Sequence, residues 1–548
     1  MKSQNSYSLS GKIVDLVKGQ IFRGTVDVQN GKIQKITHDE LVQENQTILP
    51  GLIDSHIHIE SSMLIPSEFA RLAVVHGTVC TVSDPHEIAN VLGITGVKFM
   101  IENGKKVPFK FYFGAPSCVP ATPFETSGAQ FTPNDLEELL SMNEIHYLSE
   151  MMNFPGVING SLDEIKKIDI AKKHNKPVDG HAPGVKGEDA RKYAEAGVTT
   201  DHECFTMEEA LEKIRYGMKI QIREGSAAKN FEALIDLMKD HADKVLFCSD
   251  DRHPDNLAEG HINDLIKRAV AKGYDPIQVL KSVILNPVEH YHLNVGLLQE
   301  GDPADMIVVD NLKDFNIKAT YINGQKVAEN GQTLLNPVEE IAPNNFLATP
   351  ITQEDIQVKD TGKKIRVIEA YDGELITGSV LMDPKSDNGN LVSDTEKDVL
   401  KMVVLNRYQK AEPAVAFIKN IGLKKGAFAS SVAHDSHNIV AVGANDEEIV
   451  QAINAVVKSK GGVVVVNEKE EHLLSLPVAG LMSNQDGYAV AKKYKELDTM
   501  LHEMGATLRA PFMTLSFMAL LVIPELKLSD KGLFDGNSFS FTSLYAEN

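Results

Sequence analysis

Apolar strand-like runs alternate with helical segments between residues 50 and 294, and this alternation constrains the fold more than any other feature of the chain. Eight runs have the length and composition of buried strands, and amphipathic helical segments separate most of them. The predicted strands are Leu52–His58, Thr78–Asp84, Phe109–Gly114, Ile145–Met151, Pro177–His181, Thr199–Glu203, Lys219–Arg223 and Val245–Asp250. Eight β/α units over about 250 residues match a (β/α)8 TIM-like barrel. The competing fold is a doubly wound open sheet, but no Gly-rich dinucleotide-binding turn follows the first strand.

Two β-rich stretches flank this predicted barrel of residues 50–294. Residues 1–49 contain short strand-like runs and a hairpin turn at Asn30-Gly31, and residues 295–344 contain a second hairpin turning at Asn323-Gly324. We predict that the two stretches pair into one composite β-sandwich domain. Two unrelated β-rich stretches are the alternative.

The remaining part of the chain, residues 345–548, mixes strand and helix patterns and is predicted to be a separate C-terminal α/β domain. A linker with the composition of a domain boundary, Ala342-Pro343-Asn344-Asn345, precedes it. More than one domain is also expected from the length of 548 residues, since single cores stop growing well below this size.

Composition and charge exclude several classes of partner. A net charge of -21 argues against nucleic acid, because no basic field would attract a phosphate backbone. The longest apolar run, Phe512 to Pro524, is too short to span a bilayer, and the first residues lack the apolar core of a signal peptide. The four cysteines are widely spaced without a Cys-x-x-Cys pair, so we expect reduced thiols and a cytoplasmic protein without a structural zinc site.

Potential metal ligands stand at the ends of five predicted strands. His56 and His58 are two residues apart on the first strand and therefore project to the same side. Catalytic groups of a (β/α)8 barrel lie at the carboxyl ends of its strands. The further ligand candidates at those ends are Glu150, His181, His202 and Asp250.

Each of these residues, taken singly, also has an ordinary structural explanation, such as a helix cap or a loop hydrogen bond. Five strand ends that all carry ligand types are better explained by a metal site. Imidazole and carboxylate ligands together suit Zn, Mn or Fe(II). Four imidazoles with a bridging carboxylate suit two ions better than one.

Longer motifs around these residues carry a resemblance to a known family. The run Pro-Gly-Leu-Ile-Asp-Ser-His-Ile-His at residues 50–58, the later histidines, the strand-eight aspartate and Gly301-Asp302-Pro303-Ala304-Asp305 resemble the amidohydrolase superfamily. Further segments narrow the resemblance to the bacterial adenine deaminase family, namely residues 59–63, 84–90, 149–153, 179–184, 249–254 and 431–438. The resemblance covers essentially the whole chain. It includes Glu150 on the fourth strand, where many binuclear relatives have a carboxylated lysine.

This resemblance implies a metal-dependent hydrolase barrel that deaminates adenine to hypoxanthine and ammonia in purine salvage. It implies two divalent ions, Mn(II) or Fe(II) in the first place, with Zn(II) chemically allowed. The ligand set it implies is His56, His58, Glu150, His181, His202 and Asp250. Asp250 is then placed to take a proton from the attacking water and to pass it to the departing amine. The resemblance alone suggests a homo-oligomer, in the simplest case a homodimer.

Several assignments stay open at the level of sequence. His86, Glu203 and Glu224 are unranked candidates for donating the ring proton or for recognising the base, and Glu203 could equally support His202 through an ion pair. Asp250 is preferred over its neighbour as the ligand, although a shift of one residue in register would reverse that choice. The substrate-side candidates that remain are Asp251, Arg252 and His434.

The segment containing His434 and His437 has two interpretations. It is either a lid that reaches the active site from the C-terminal domain or a set of local hydrogen bonds within that domain.

Two other functions compete with deamination of adenine. One is a binuclear amidohydrolase acting on a cyclic amide or imide, since specificity lies in the loops. The other is a non-catalytic scaffold on a degenerate barrel, against which the complete ligand set argues.

Overall fold

A barrel of eight parallel strands forms the centre of the molecule. The structure is a computed structural model and describes residues 6–546. The barrel strands are Leu52–Ile57, Thr78–Ser83, Lys110–Ala115, Ile145–Met151, Val178–Gly180, Thr200–Asp201, Lys219–Arg223 and Val245–Cys248. The first five form one hydrogen-bonded sheet and the last three another. All eight strands fall within the predicted runs or within one residue of them, and the predicted fold class is confirmed.

Short backbone contacts close the barrel at the two gaps between these sheets. The amide of Asp250 donates a hydrogen bond to the carbonyl of His56 over 3.0 Å, which joins the eighth strand to the first. The amide of Thr199 donates to the carbonyl of Val178 over 2.8 Å, which joins the sixth strand to the fifth. The ends of the first and eighth strands, where candidate ligands lie, are therefore tied together directly.

Helices follow the barrel strands and cover the outside of the barrel, since each presents an apolar stripe to the strands. One begins at a capping box in which Thr132 and Asp135 satisfy each other's backbone amides. The helices of this region are Pro66–Ala73, His86–Leu92, Ile94–Gly104, Pro133–Ser141, Phe154–Ile158, Leu162–Lys173, Gly187–Glu195, Met207–Arg215, Phe231–Leu234, Pro254–Glu259, Ile262–Ala271, Pro276–Leu280 and Asn286–Tyr291.

A single eight-stranded sheet combines segments from both flanks of the barrel. The two flanks meet where Thr47–Pro50 pairs antiparallel with Met306–Val309. The other strands of this sheet are Ser6–Asp15, Gln20–Gln29, Lys32–His38, Ile317–Ile322, Gln325–Glu329 and Gln332–Thr333.

The C-terminal part of the chain is built on another eight-stranded sheet. Its strands are Ile365–Ala370, Thr377–Met382, Val399–Leu405, Ala414–Lys419, Ala427–Ser430, Ile439–Gly443, Gly462–Asn467 and Glu470–Ser475. The helices of this part are Asp446–Ser459, Gly487–Glu503 and Pro511–Phe517, and two small sheets are formed by Lys385–Asp387 with Asn390–Val392 and by Leu526–Ser529, Gly532–Asp535 and Ser540–Phe541.

The C-terminal part packs directly on the barrel. Helix Gly487–Glu503 contacts the barrel helices Pro66–Ala73 and Pro254–Glu259. An ion pair of 2.8 Å between Arg71 and Asp486 crosses this contact. The two parts share one apolar core, so the C-terminal part can contribute side chains to the barrel mouth.

Two further findings concern membrane-spanning helices and the cysteines. Within residues 6–546, no helix has both the length and the apolar character needed to cross a bilayer. The four cysteines are buried and free.

Candidate metal centre

Two histidines of the first strand and an aspartate beyond the eighth strand form one group of converging ligand atoms. The Nε2 atoms of His56 and His58 are 3.2 Å apart. Asp250 Oδ1 lies 3.5 Å from the first of these nitrogens and 3.2 Å from the second. All three side chains are buried.

Glu150 and two further histidines form the second group. Glu150 Oε2 lies 3.0 Å from His181 Nδ1 and 3.0 Å from His202 Nε2. The same carboxylate also faces the first group, since its Oε1 is 3.7 Å from His58 Nε2 and its Oε2 is 3.9 Å from His56 Nε2. Glu150 is therefore the side chain that lies between the two groups.

The spacing and the chemistry of these donors fit divalent metal ions. Ligand atoms at about 2.1 Å around one tetrahedral ion are about 3.4 Å from one another, and the distances within the first group lie close to that value. Two imidazole Nε2 atoms that face each other in a buried site repel unless a proton or a cation lies between them. The two groups therefore form a potential metal site of histidine and carboxylate ligands.

Charge around the site keeps its carboxylates ionised. Burial opposes ionisation of Glu150, but His181 and His202 outweigh it and hold the pKa of this carboxyl well below its usual range. The same holds for Asp250, where burial is outweighed by Arg223 and by the first-strand histidines, so that its pKa is also well below its usual range. Both groups are present as anions, the form that binds metal ions.

Buried side chains behind the ligands fix the strand ends. Asp54 accepts hydrogen bonds from the amide of Ser249 over 3.0 Å and from His261 Nε2 over 2.9 Å, which links the first strand to the eighth. At the end of the second strand, Asp84 accepts a hydrogen bond of 3.0 Å from the amide of His86, the first residue of the helix that follows. These bonds hold the ligand-bearing backbone in place.

Asp250 and Asp251 both reach the cavity, because the eighth strand ends earlier than predicted. The strand stops at Cys248, and Asp250 takes a left-handed conformation with φ of 55°. This turn directs the carboxylate of Asp250 to His56 and His58. The hydroxyl of Ser61 donates to Asp251 Oδ1, which lies 3.9 Å from His434 Nε2 on the other side of the cavity.

Glu203 pairs with Arg223 at the ends of the sixth and seventh strands. The guanidinium donates two hydrogen bonds to this carboxylate and one of 2.7 Å to Asp250 Oδ2. Glu203 Oε1 is also 3.5 Å from the nearest nitrogens of His181 and His202. Arg223 therefore connects the carboxylates at the ends of the sixth and eighth strands.

The C-terminal part of the chain closes the mouth of the barrel. His434 and His437 both bond the carboxylate of Glu87, which lies in the barrel helix after the second strand. Burial lowers the pKa of His434, but Glu87 and Asp251 outweigh it and raise the pKa to about 9. His434 is therefore a cation at neutral pH and pairs across the interface with an anion.

A small cavity of about 20 Å³ lies among these side chains. We call the apolar residues Leu375, Phe517 and Leu520 of the C-terminal part the roof. The other residues that line the cavity are His58, His86, Glu87, Glu150, Met152, His181, His202, Glu203, Arg223, Asp250, Asp251, His434 and Asp435.

The structure brings together most of the predicted site residues and leaves two of them apart. Nine of them line the cavity, and His56 lies beneath it against His58 and His202. Glu224 and Arg252 line a different pocket, outside this cavity. Glu224 pairs with Arg268 over 2.7 Å, and Arg252 bonds backbone carbonyls that include Gly260 over 2.6 Å. Both side chains thus hold the loops that follow the seventh and eighth strands.

Sequence reasoning missed four charged residues of the site. Glu87, Arg223 and Asp435 line the cavity, and Asp84 belongs to a potential metal-ligand group with His58, His86 and Glu150. Asp84 and Arg223 stand at the ends of the second and seventh strands, so the rule used for the other five strands would have found them. Glu87 and Asp435 lie within the segments that resemble the adenine deaminase family. Neither stands at the end of a predicted barrel strand, so the strand-end rule does not identify them.

A (β/α)8 barrel with histidines and carboxylates at its strand ends defines the class of metal-dependent hydrolases. The profile of the "Amidohydrolase family" matches residues 47–327, and that of the "Adenine deaminase C-terminal domain" matches residues 374–540. The chain therefore belongs to the amidohydrolase family and, within it, to the adenine deaminases.

Similar curated proteins cover nearly the full length of the chain. The adenine deaminase of Methanosarcina mazei is 56% identical over 98% of this chain and 99% of that protein. Those of Salinibacter ruber and Borreliella burgdorferi are 54% and 46% identical, with 99% of each relative covered and 99% and 98% of this chain, respectively. Among solved structures, a β-aspartyl dipeptidase of Fervidobacterium islandicum matches with a TM-score of 0.47 and 17% identity, over 60% of this chain and 100% of that one.

Proposed function

We propose that this protein catalyses the hydrolytic deamination of adenine to hypoxanthine and ammonia. The observation that carries the proposal is the full-length identity of 56% to a protein named adenine deaminase. The geometry of the cavity supports it, since six ligand-type side chains meet beneath the apolar roof.

We assign two divalent ions to the site, Mn(II) or Fe(II) in the first place and Zn(II) as a chemically allowed third. His56, His58 and Asp250 would hold one ion, His181 and His202 the other, and Glu150 would bridge them. Bound there, the ions would lower the pKa of a water so that hydroxide is available near neutral pH.

The protein's own side chains would carry the protons of the reaction. Asp250 faces the metal centre, and its Oδ2 is held by Arg223 over 2.7 Å, so this carboxylate is ionised and fixed. We assign it the transfer of a proton from the attacking water to the departing amine. The purine ring must also take up a proton as C6 becomes tetrahedral. Of the predicted donors for that step, His86 and Glu203 line the cavity, and we retain these two.

Ammonia release from a panel of substrates tests the proposed function. The purified protein, loaded with Mn(II), is assayed with adenine and, in parallel, with cyclic amides and imides for ring opening. We expect ammonia and hypoxanthine from adenine only. Turnover of a cyclic amide without release of ammonia from adenine would instead favour the second amidohydrolase function.

We further propose that the protein works in the cytoplasm, as a homodimer, in purine salvage. Four free buried thiols support the compartment, and the resemblance to the family supports the dimer. Light scattering of the metal-loaded protein tests the assembly: a mass of one chain at working concentration contradicts the dimer.

A further inference from the structure

We propose that Asp435 recognises the N–H of the purine's five-membered ring and thereby selects the free base over nucleosides. The inference rests on the proposed deamination of adenine and assigns a specificity-determining residue to it. Asp435 belongs to the C-terminal part of the chain and lines the cavity that the metal-ligand candidates also line.

Asp435 is buried without enough partners for its charge. It is 3% exposed, and its Oδ2 has no hydrogen-bond partner within residues 6–546. Its Oδ1 is 3.7 Å from His86 Nε2 and 3.9 Å from His434 Nδ1, beyond hydrogen-bond length. Because a buried carboxylate oxygen without a hydrogen bond is unfavourable, a hydrogen-bond donor from a ligand is expected at this position.

Two neighbouring cations are engaged elsewhere. His434 bonds Glu87, and Arg223 bonds Glu203 and Asp250. His86 Nε2 lies 3.7 Å from Asp435 and has no hydrogen-bond partner within residues 6–546. A ligand that enters the cavity therefore meets Asp435 as an available acceptor.

The imidazole of His86 lies between Asp435 and the metal centre. The Nδ1 of this imidazole is 3.5 Å from Glu150 Oε1, and its Nε2 is the atom 3.7 Å from Asp435. The two carboxylates are thus separated by one five-membered ring and its contacts. The proposed base, lying beside this ring, would contact the metal centre with one end and Asp435 with the other.

The roof favours a flat, apolar-faced ligand of this kind. Leu375, Phe517 and Leu520 cover the cavity, and the ring of Phe517 lies 5.0 Å from that of His434. Aromatic and aliphatic walls pack against the faces of a purine, which leaves its edges to the charged residues.

The chemistry of the ligand then sets the selectivity. Free adenine carries one N–H on its five-membered ring, whereas a nucleoside carries a sugar there and has no ring N–H to donate. An ionised carboxylate accepts hydrogen bonds but cannot donate them. Asp435 therefore pairs with the free base and leaves a nucleoside with a buried carboxylate that lacks a hydrogen-bond donor.

The test compares adenine with 9-methyladenine in wild type, Asp435→Asn and Asp435→Ala, all as the metal-loaded full chain. We expect kcat/KM for adenine to fall about 10- to 100-fold in both variants, with metal content unchanged. The preference for adenine over 9-methyladenine should fall at least tenfold in Asp435→Ala, which has both lost the acceptor and gained space. Asp530→Asn is the matched control, because Asp530 is a buried aspartate of the same part of the chain that does not line the cavity.

Two results would overturn the inference while leaving the proposed function intact. One is a kcat/KM for adenine within twofold of wild type in both variants. The other is an equal loss for adenine and 9-methyladenine, which would indicate a structural effect. If the wild type itself releases no ammonia from adenine, the proposed function has failed and not merely this assignment.

Discussion

Glu150 is the side chain on which both halves of the candidate metal centre depend. Its two oxygens face ligand-type nitrogens from the first, fifth and sixth strands, at distances of 3.0 to 3.9 Å. A glutamate at this position needs no covalent modification to bridge two ions. Its charge also offsets the cluster of histidines, since a buried anion favours the protonated or metal-bound form of its neighbours.

Replacing Glu150 with Gln should therefore empty the centre. The amide keeps the shape but loses the negative charge that would bind both proposed ions, so we expect most of the metal to be lost and deamination to fall at least about 10³-fold. Metal analysis after purification without chelators and ammonia release from adenine measure the two effects. Glu144→Gln, on the surface, is the control. Two metal equivalents together with full activity in Glu150→Gln would refute the binuclear arrangement.

Lys527 is a second residue whose charge the fold controls. Its side chain is buried, and Nζ donates to the carbonyls of Leu375 over 2.6 Å and Phe517 over 3.0 Å. Burial lowers its pKa from 10.5 to about 7. The unfolded chain thus binds more protons than the folded chain between these two pH values, and stability should rise with pH across that window.

Lys527→Met should remove this part of the pH dependence. Urea unfolding of wild type and variant at pH 7 and pH 9 measures it, and the rise in unfolding free energy should be smaller in the variant by about 1 kcal/mol per pH unit. The lost hydrogen bonds to the two carbonyls lower stability at both pH values and do not affect this difference. Lys410→Met, at an exposed site, is the control, and equal pH dependence in wild type and Lys527→Met would contradict the prediction.

At the scale of elements, the helix His86–Leu92 links the barrel to the C-terminal part of the chain. Its first residue, His86, lies at the cavity, and its second, Glu87, bonds His434 and His437. Burial opposes the charge of Glu87, but the nearby histidines outweigh it and hold its pKa well below the usual range. The bridge is thus a buried anion between imidazoles, with His434 protonated at neutral pH.

Of the two interpretations of the His434 segment, the contacts to Glu87 favour the one that reaches the active site. We expect His434→Ala and His437→Ala each to lower kcat/KM for adenine about tenfold or more, since each leaves a buried carboxylate short of a partner. Steady-state kinetics and metal content measure this, with metal expected to be retained. His472→Ala, in a strand of the same part of the chain, is the control. Unchanged turnover and unchanged adenine affinity in both variants would eliminate a role in catalysis.

At the scale of the whole molecule, the active-site cavity belongs to two parts of the chain. The barrel supplies the metal-ligand candidates, and the C-terminal part supplies the roof. Helix Gly487–Glu503 and the ion pair between Arg71 and Asp486 hold the two parts together away from the cavity. The barrel alone therefore has the ligand set but lacks the surface that would cover a purine.

Phe517→Ala tests whether the roof contacts the base while the barrel residues alone hold the metal. The change removes the aromatic part of the roof, and base–aromatic contact contributes about 1–3 kcal/mol, so we expect KM for adenine to rise about tenfold or more. Two metal equivalents should remain bound, because a phenylalanine side chain offers no ligand atom to a metal ion. Phe541→Ala, which changes a half-exposed phenylalanine, is the control. Loss of metal in Phe517→Ala would show that the roof shapes the centre itself.

The sequence by itself determined the barrel and most of the groups at its mouth. Strand-length apolar runs separated by amphipathic segments are a local property, and all eight strands could be located from them. Strand ends were less certain: the eighth strand stops at Cys248 because Asp250 adopts a left-handed conformation. That turn brings both Asp250 and Asp251 to the cavity, which an extended strand would not allow.

Only the tertiary structure decided which charged groups meet across the chain. Glu87 and His434 are 347 residues apart, and no local pattern couples residues at that distance. Glu224 and Arg252 were candidates from the sequence, but in the structure Glu224 pairs with Arg268 and Arg252 bonds the carbonyl of Gly260. The local sequence does not reveal these partners either. Periodicity records which face of an element is buried, whereas pairing between distant elements depends on how they pack. The roof, Asp435 and the bridge at Glu87 therefore became visible only once the C-terminal part was packed on the barrel.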